Sequence, residues 1–333
     1  MLRSERPTRP TSIEELIDPQ LMARIGRLDL ASARIFAGKL KGERRSKKRG
    51  ESVEFADHRP YSIGDDLRHI DWNIYARLDR FFLKLFLEEE DLSLHIVLDA
   101  SLSTDCGEPN KFEFMRRLAA ALAYIGLVNL NRVAITTLGG RIVTPGVEDD
   151  ERAGDAALEP GEDGAPVMHQ LRDLRGRRRL SDLSRFLCAL EPEGNTRFDR
   201  AAKRLAITRR GRGVMVVLSD FFMKEGYETA LRMLVGRGYD VYAMQVLSLQ
   251  EIEPEGPGGI AGDLRLRDVE DADRAEITVS APLLKRYKQN LAAYNAALRT
   301  FCARRDINMS TVPTATELDV FIVDSLRQRG LLR

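Results

Sequence analysis

Apolar positions along the chain follow two rhythms. Leu94 to Leu98 and Val214 to Leu218 are short, nearly unbroken apolar runs, the signature of strands buried on both faces. Between them, Phe112, Met115, Ala119, Leu122 and Ile125 recur at helical spacing, which predicts an amphipathic helix over Lys111 to Leu130. The same reading predicts strands at Arg132 to Leu138, Tyr239 to Leu247 and Ile307 to Val312. It predicts helices at Ser181 to Leu190 (opening on a serine cap), Arg197 to Arg209, Tyr227 to Gly236, Pro282 to Arg304 and Leu318 to Arg329. Tyr287 and Tyr294 fall on the apolar stripe of the long helix and are read as its core. Strands that alternate with helices of this length predict an α/β fold: a doubly wound, mostly parallel sheet flanked by helices.

The N-terminal part has a different texture. Residues 1 to 12 are polar and read as a loose arm. Helical patterns follow at Ser12 to Glu15 and Gln20 to Phe36. Gly38 to Gly50 carries seven Lys and Arg against one Glu. Residues 1–92 are therefore assigned to an accessory segment and 93–333 to the α/β domain. Two later stretches stand out. Val147 to Pro166, rich in Glu, Asp, Gly, Ala and Pro, reads as a disordered acidic insertion, and Leu264 to Arg267 with Glu276 to Val279 as a small hairpin.

Composition narrows the function classes. The 333 residues are 43% hydrophobic and 31% charged, with a formal net charge of +1. A sizeable core follows, and no global drive toward nucleic acid. The basic clusters at 38–50 and at Arg172 to Arg179 lack interleaved aromatics and read as solvated faces. Three scattered cysteines give no disulfide framework, no stretch is apolar enough to span a membrane, and the first residues lack a signal-peptide apolar region. The expectation is a cytoplasmic protein.

The candidate chemistry sits at strand ends, where open α/β sheets bind ligands. Asp99, Ser101 and Ser103 follow the Leu94 to Leu98 run; Thr196 precedes a helix; Asp220 follows the Val214 to Leu218 run. A carboxylate and two hydroxyls spaced two residues apart on one tight loop suit Mg²⁺ (or Mn²⁺ or Ca²⁺), which takes hard oxygen ligands. Taken singly, each of these residues is as readily a turn or cap residue; the ordered set at the right strand ends points to metal. Asp99-x-Ser101-x-Ser103, Thr196 and Asp220 resemble the metal-ion-dependent adhesion site of von Willebrand factor A domains. The resemblance implies a von Willebrand factor A-like fold, with direct contacts from Asp99 and both serines, a loop ligand in Thr196, and Asp220 acting through water. One departure is Phe221, where that motif usually has glycine.

Upstream, Arg59, Tyr61, Gly64, Asp65, Arg68, Ile70, Asp71, Trp72, Ala76 and Arg77 crowd into a short block. Arginine forks can pair with carboxylates and stack on rings, so the block reads as a network that either staples the segment or docks a partner. With the metal motif, it resembles a large bacterial family known as domain of unknown function 58. That resemblance implies a partnership with a MoxR-type AAA+ ATPase. The function expected is a metal-dependent protein-binding adaptor that works with such an ATPase on a client protein, with no catalytic constellation beyond the metal site. The alternatives are a metal-dependent phosphoester hydrolase and, less favoured, a nucleic-acid binder acting through the basic clusters.

Overall fold

The two apolar runs become neighbouring central strands of one sheet. The computed structural model of the protein describes residues 9–31, 54–62, 67, 70–87, 92–143, 157–158, 168–195, 197–208, 213–256, 262–267 and 274–333. Helices α1 (Ile13–Leu16) and α2 (Pro19–Ile25) are followed by strand β1 (Glu54–Pro60), helix α3 (Trp72–Leu78) and strand β2 (Phe82–Leu87). The chain continues with β3 (Ser93–Asp99), α4 (Lys111–Val128), β4 (Arg132–Leu138), β5 (Arg141–Ile142), β6 (Ala157–Leu158), β7 (Met168–Leu174) and α5 (Leu180–Ala189). Then come β8 (Leu190–Glu191), α6 (Phe198–Thr208), β9 (Gly213–Ser219), α7 (Glu228–Val235), β10 (Tyr239–Leu247) and α8 (Leu249–Ile252). The hairpin strands β11 (Gly262–Arg267) and β12 (Arg274–Val279), helix α9 (Ala281–Ala303), strand β13 (Asn308–Pro313) and a final helical stretch over 318–328 complete the chain.

The main sheet has the order β13-β10-β9-β3-β4-β7-β6. Pairing is parallel from β13 to β4 and antiparallel for β7 and the two-residue β6. The chain winds outward from β3 through β4 to β7, then resumes on the other side of β3 with β9, β10 and β13. The winding direction reverses between β3 and β9, the place where doubly wound sheets open a crevice. Side chains alternate between two cores, as the strand period of two requires. Leu94, Ile96, Leu98, Val214, Val216 and Leu218 pack under α1, α2, α4, α5 and the final helical stretch. Val97, Met215 and Val217 pack under α6, α7 and α9. The expected mostly parallel α/β sheet with helices on both faces is therefore present.

Several boundaries move. The predicted Gln20 to Phe36 helix stops at Ile25. Beyond Gly26 the chain turns, and Asp29 to Ala31 pairs with the C-terminal residues instead: Ala31 N donates to Leu331 O (2.8 Å) and Arg333 N to Asp29 O (3.0 Å). The chain divides into two compact units, residues 39–91 and residues 1–38 together with 92–333. Helices α1 and α2, assigned from sequence to the accessory segment, thus belong with the sheet, because Leu16, Ile17 and Ile25 bury fully in its core. Helix α5 begins at Leu180 after a 3-10 turn of arginines, with no serine cap. Most of the acidic stretch at 147–166 lies outside the described residues; Ala157 and Leu158 in it form β6, paired with His169 and Met168. The expected hairpin is β11 with β12.

In the 39–91 unit, β1 and β2 pair antiparallel, with α3 between them in sequence. Asp71 caps α3 by accepting from Asn73 N (2.9 Å) and Ile74 N (3.2 Å), and it pairs with His58 Nε2 at 3.0 Å. Tyr75 stacks on Phe81 with ring centres 4.5 Å apart, and Trp72 and Tyr61 meet Phe81 edge-on. Asp65 and Arg68 lie outside the described residues. The block is thus built on an aromatic cluster and a helix cap.

The C-terminal pairing buries Leu331 and Leu332. Removing residues 331–333 is expected to cost about 3–6 kcal/mol, from two buried leucines at roughly 1.5–3 kcal/mol each. Urea denaturation of the truncated and full chains measures it.

Candidate metal centre

Strand β3 delivers Asp99 to the carboxyl edge of the sheet, and the chain then turns sharply into a 3-10 turn, Leu102–Thr104. Asp99 is only 1% exposed. Its Oδ1 accepts from Ser101 N (3.1 Å) and Ser101 Oγ (2.8 Å), and Ser101 Oγ lies 2.9 Å from Ser103 Oγ. Ser219, the last residue of β9, donates from Oγ to Asp99 Oδ2 at 2.6 Å. One buried carboxylate thus accepts from two hydroxyls, Ser101 and Ser219, at adjacent strand ends, and Ser103 Oγ joins the cluster through Ser101. Serine serves here because a small hydroxyl fits a tight loop and satisfies a buried carboxylate that water cannot reach.

A second loop closes on this one. Gly194 O accepts from Leu102 N (2.9 Å), and Glu193 N donates to Ala100 O (3.0 Å). Gly139 makes the close approach possible: at φ +71° a Cβ would stand 2.8 Å from Glu193 O. Thr196 itself lies outside the described residues, but the chain two residues before it is fastened to the serine loop.

Asp220 follows the neighbouring strand end. Its Oδ2 lies 2.7 Å from Lys111 Nζ and its Oδ1 accepts from Phe222 N at 3.0 Å. Lys111 is fully buried and also meets Glu251 Oε1 at 2.7 Å. Burial alone works against the charged ammonium. The two carboxylates outweigh it and hold the lysine's pKa above its ordinary value. Glu251 is locked in turn, with Oε2 accepting from Ser248 N (2.8 Å) and Ser248 Oγ (3.0 Å) in a capping box at the start of α8. Cys106 lies beside this group. Burial pushes its thiol up to about 11, against the pull of Lys111, so it is a neutral thiol and not a thiolate ligand.

Sequence reasoning missed Lys111, Glu251 and Ser219. A signal for the first was present. Lys111 lies on the same helical stripe as Met115, Leu118 and Leu122, all fully buried, and in the first turn, where the helix dipole disfavours a cation. A lysine in such a place needs carboxylate partners. The tyrosines of α9 were read as core, yet their hydroxyls serve the site loops. Tyr287 Oη donates to Glu251 O (2.9 Å) and Tyr294 Oη to Phe221 O. Phe221, standing where the resembled motif carries glycine, adopts φ +60° while fully buried. Packing against Phe198 and the Tyr294 bond hold it in that disfavoured conformation.

Among the described residues, no three His, Cys, Asp or Glu side chains converge on one point. The centre is one carboxylate with hydroxyls, and that donor set fits a hard divalent cation at Asp99, Ser101 and Ser103. Asp220 is not shown to share it. Ser219→Ala is expected to destabilise the protein by about 1–3 kcal/mol, because Asp99 Oδ2 loses its buried donor. A shifted denaturation midpoint with unchanged slope measures it.

No helix among the described residues is long and apolar enough to cross a membrane, and Cys106, Cys188 and Cys302 are all free thiols. The chain is similar, at 25% identity over 287 residues, to uncharacterized proteins of Mycobacterium bovis and Mycobacterium tuberculosis, a span covering 85% of this chain and 81% of each relative. The model of the family described as "Protein of unknown function DUF58" matches residues 57–154 and 164–297, well over half of the chain. The protein is a member of that family.

Proposed function

We propose that the protein is a metal-dependent protein-binding module of the von Willebrand factor A type, serving as an adaptor for a MoxR-type AAA+ ATPase. The observation that carries the reading is the cluster of Asp99, Ser101 and Ser103 at the carboxyl end of β3, where the winding of the sheet reverses. Mg²⁺ bound there is held by one carboxylate and two hydroxyls, and Thr196 is the further protein ligand that the resemblance implies. A cation so lightly neutralised attracts an anion, and a carboxylate from a partner protein supplies it. The ATPase partner rests on the resemblance of the Arg59 to Arg77 block alone. Binding is favoured over hydrolysis because Lys111 is tied to two carboxylates and the Cys106 thiol beside it is neutral, so neither supplies a base or nucleophile.

The test has two arms. Calorimetric titration of the purified protein with Mg²⁺ is expected to show one site, weakened about 100-fold or more by Asp99→Ala, at or beyond the upper end of what lost outer-shell partners cost. Capture of the purified ATPase is expected to fall with the same substitution and with EDTA. Capture that survives both sinks the metal-gated adaptor.

A further inference from the structure

We propose that Lys111 is the specificity-determining residue of this centre: an internal cation that holds Asp220 and Glu251 out of metal coordination and leaves Asp99 to supply the carboxylate charge. The inference rests on the reading of a metal centre at Asp99. Its ground is the way each acidic group is used. Asp220 spends one oxygen on Lys111 Nζ (2.7 Å) and the other on Phe222 N (3.0 Å). Glu251 spends one on Lys111 Nζ (2.7 Å) and the other on the Ser248 cap. Asp99 accepts from the Ser101 and Ser219 hydroxyls and from Ser101 N, and hydroxyl oxygens can turn to ligate a cation while still donating to the carboxylate.

Lys111 has no room to withdraw. Its side chain is fully buried at the first position of α4, behind the Asn110 cap, whose Oδ1 accepts from Glu113 N at 3.1 Å. Gly107 lets the preceding loop lie directly on Ser248, where a Cβ would come within 2.3 Å of the serine Cβ. Glu108 N and O both bond the Gln250 side chain (3.1 and 3.3 Å). The loop that leads into Lys111 and the helix that bears Glu251 are therefore fastened together, and the ammonium is clamped between them. Calcium and magnesium sites are tuned by how many carboxylates they contain. A fixed ammonium that neutralises two of them keeps this centre poor in charge and dependent on an anion brought by the partner.

Lys111→Met tests this, since it keeps the unbranched stem of the side chain and removes the ammonium. Two carboxylates, Asp220 buried and Glu251 half-buried, then lack a counter-ion, and a divalent cation is the available replacement. The expected result is Mg²⁺ and Ca²⁺ binding at least about tenfold tighter than in the wild type, from the added ligand charge. The expected Tm in EDTA is lower, and either cation restores it. Lys111→Arg retains the charge and is expected to show neither gain. The double variant Lys111→Met with Glu251→Gln leaves a single unpaired carboxylate. It decides the matter if the single variant fails to fold, with the same direction of change expected. Cation affinity no tighter than wild type, with a Tm no more cation-dependent, overturns the role of Lys111. If the wild type binds no Mg²⁺ while Lys111→Met gains cation-dependent stability, the metal reading of Asp99 falls and the role of Lys111 as internal cation stands.

Discussion

Two strands of this sheet, buried on both faces, end side by side, and each is followed by or ends in a carboxylate that water does not reach. Neutralising Asp99 and Asp220 in that dry setting is the constraint around which the site is arranged. An isolated buried charge costs far more than a domain can tolerate, so each must be hydrogen-bonded or paired. The protein uses one solution for each. Asp99 receives three donors from small residues of the strand ends themselves. Asp220 receives an ammonium from the first turn of α4, which in turn requires Glu251.

The two solutions differ in what they leave available. Hydroxyls both donate and accept, so a carboxylate satisfied by serines can share its shell with a cation. An ion pair clamped between two carboxylates has no such latitude, and removing its lysine would cost on the order of 3–5 kcal/mol in the folded state. The loops obey this division. The serine loop is joined to the 193–195 loop by backbone bonds over Gly139. The Asp220 loop is held in a strained left-handed turn at Phe221 by Phe198 and the Tyr294 hydroxyl. Helix α9 therefore touches both the Asp220 loop and the Glu251 helix, and any movement of it changes the geometry of the clamped triad.

Membership of the DUF58 family gives these features a frame without assigning them a reaction. The family match covers residues 57–91 of the 39–91 unit and most of the sheet. Among its described residues, the block that carries the resemblance holds the end of β1 and helix α3, with Asp71 as helix cap and Tyr75 stacked on Phe81. The ATPase docking proposed for that block and the cation binding proposed for the Asp99 centre fall in different compact units.

The sequence by itself determined the order of the parallel strands and the helices between them, the burial of the two central strands and the clustering of Asp99, Ser101 and Ser103. Each of these depends on a local period or a spacing of two, which neighbouring residues fix without help. It also placed Asp220 at a strand end, since the apolar run stops there. It did not mark β7, whose Arg172 reads as part of a solvated basic cluster. What the tertiary structure decided is how that carboxylate is spent. Lys111, Asp220 and Glu251 are separated by more than a hundred residues in one direction and about thirty in the other, so no local pattern links them. The same holds for the end of α2, where Gly26 permits a helix stop but the pairing of Asp29 to Ala31 with residues 331–333 makes the extended course favourable. Long-range pairing of charges and of chain ends depends on which elements the fold brings together, and that choice belongs to the whole core.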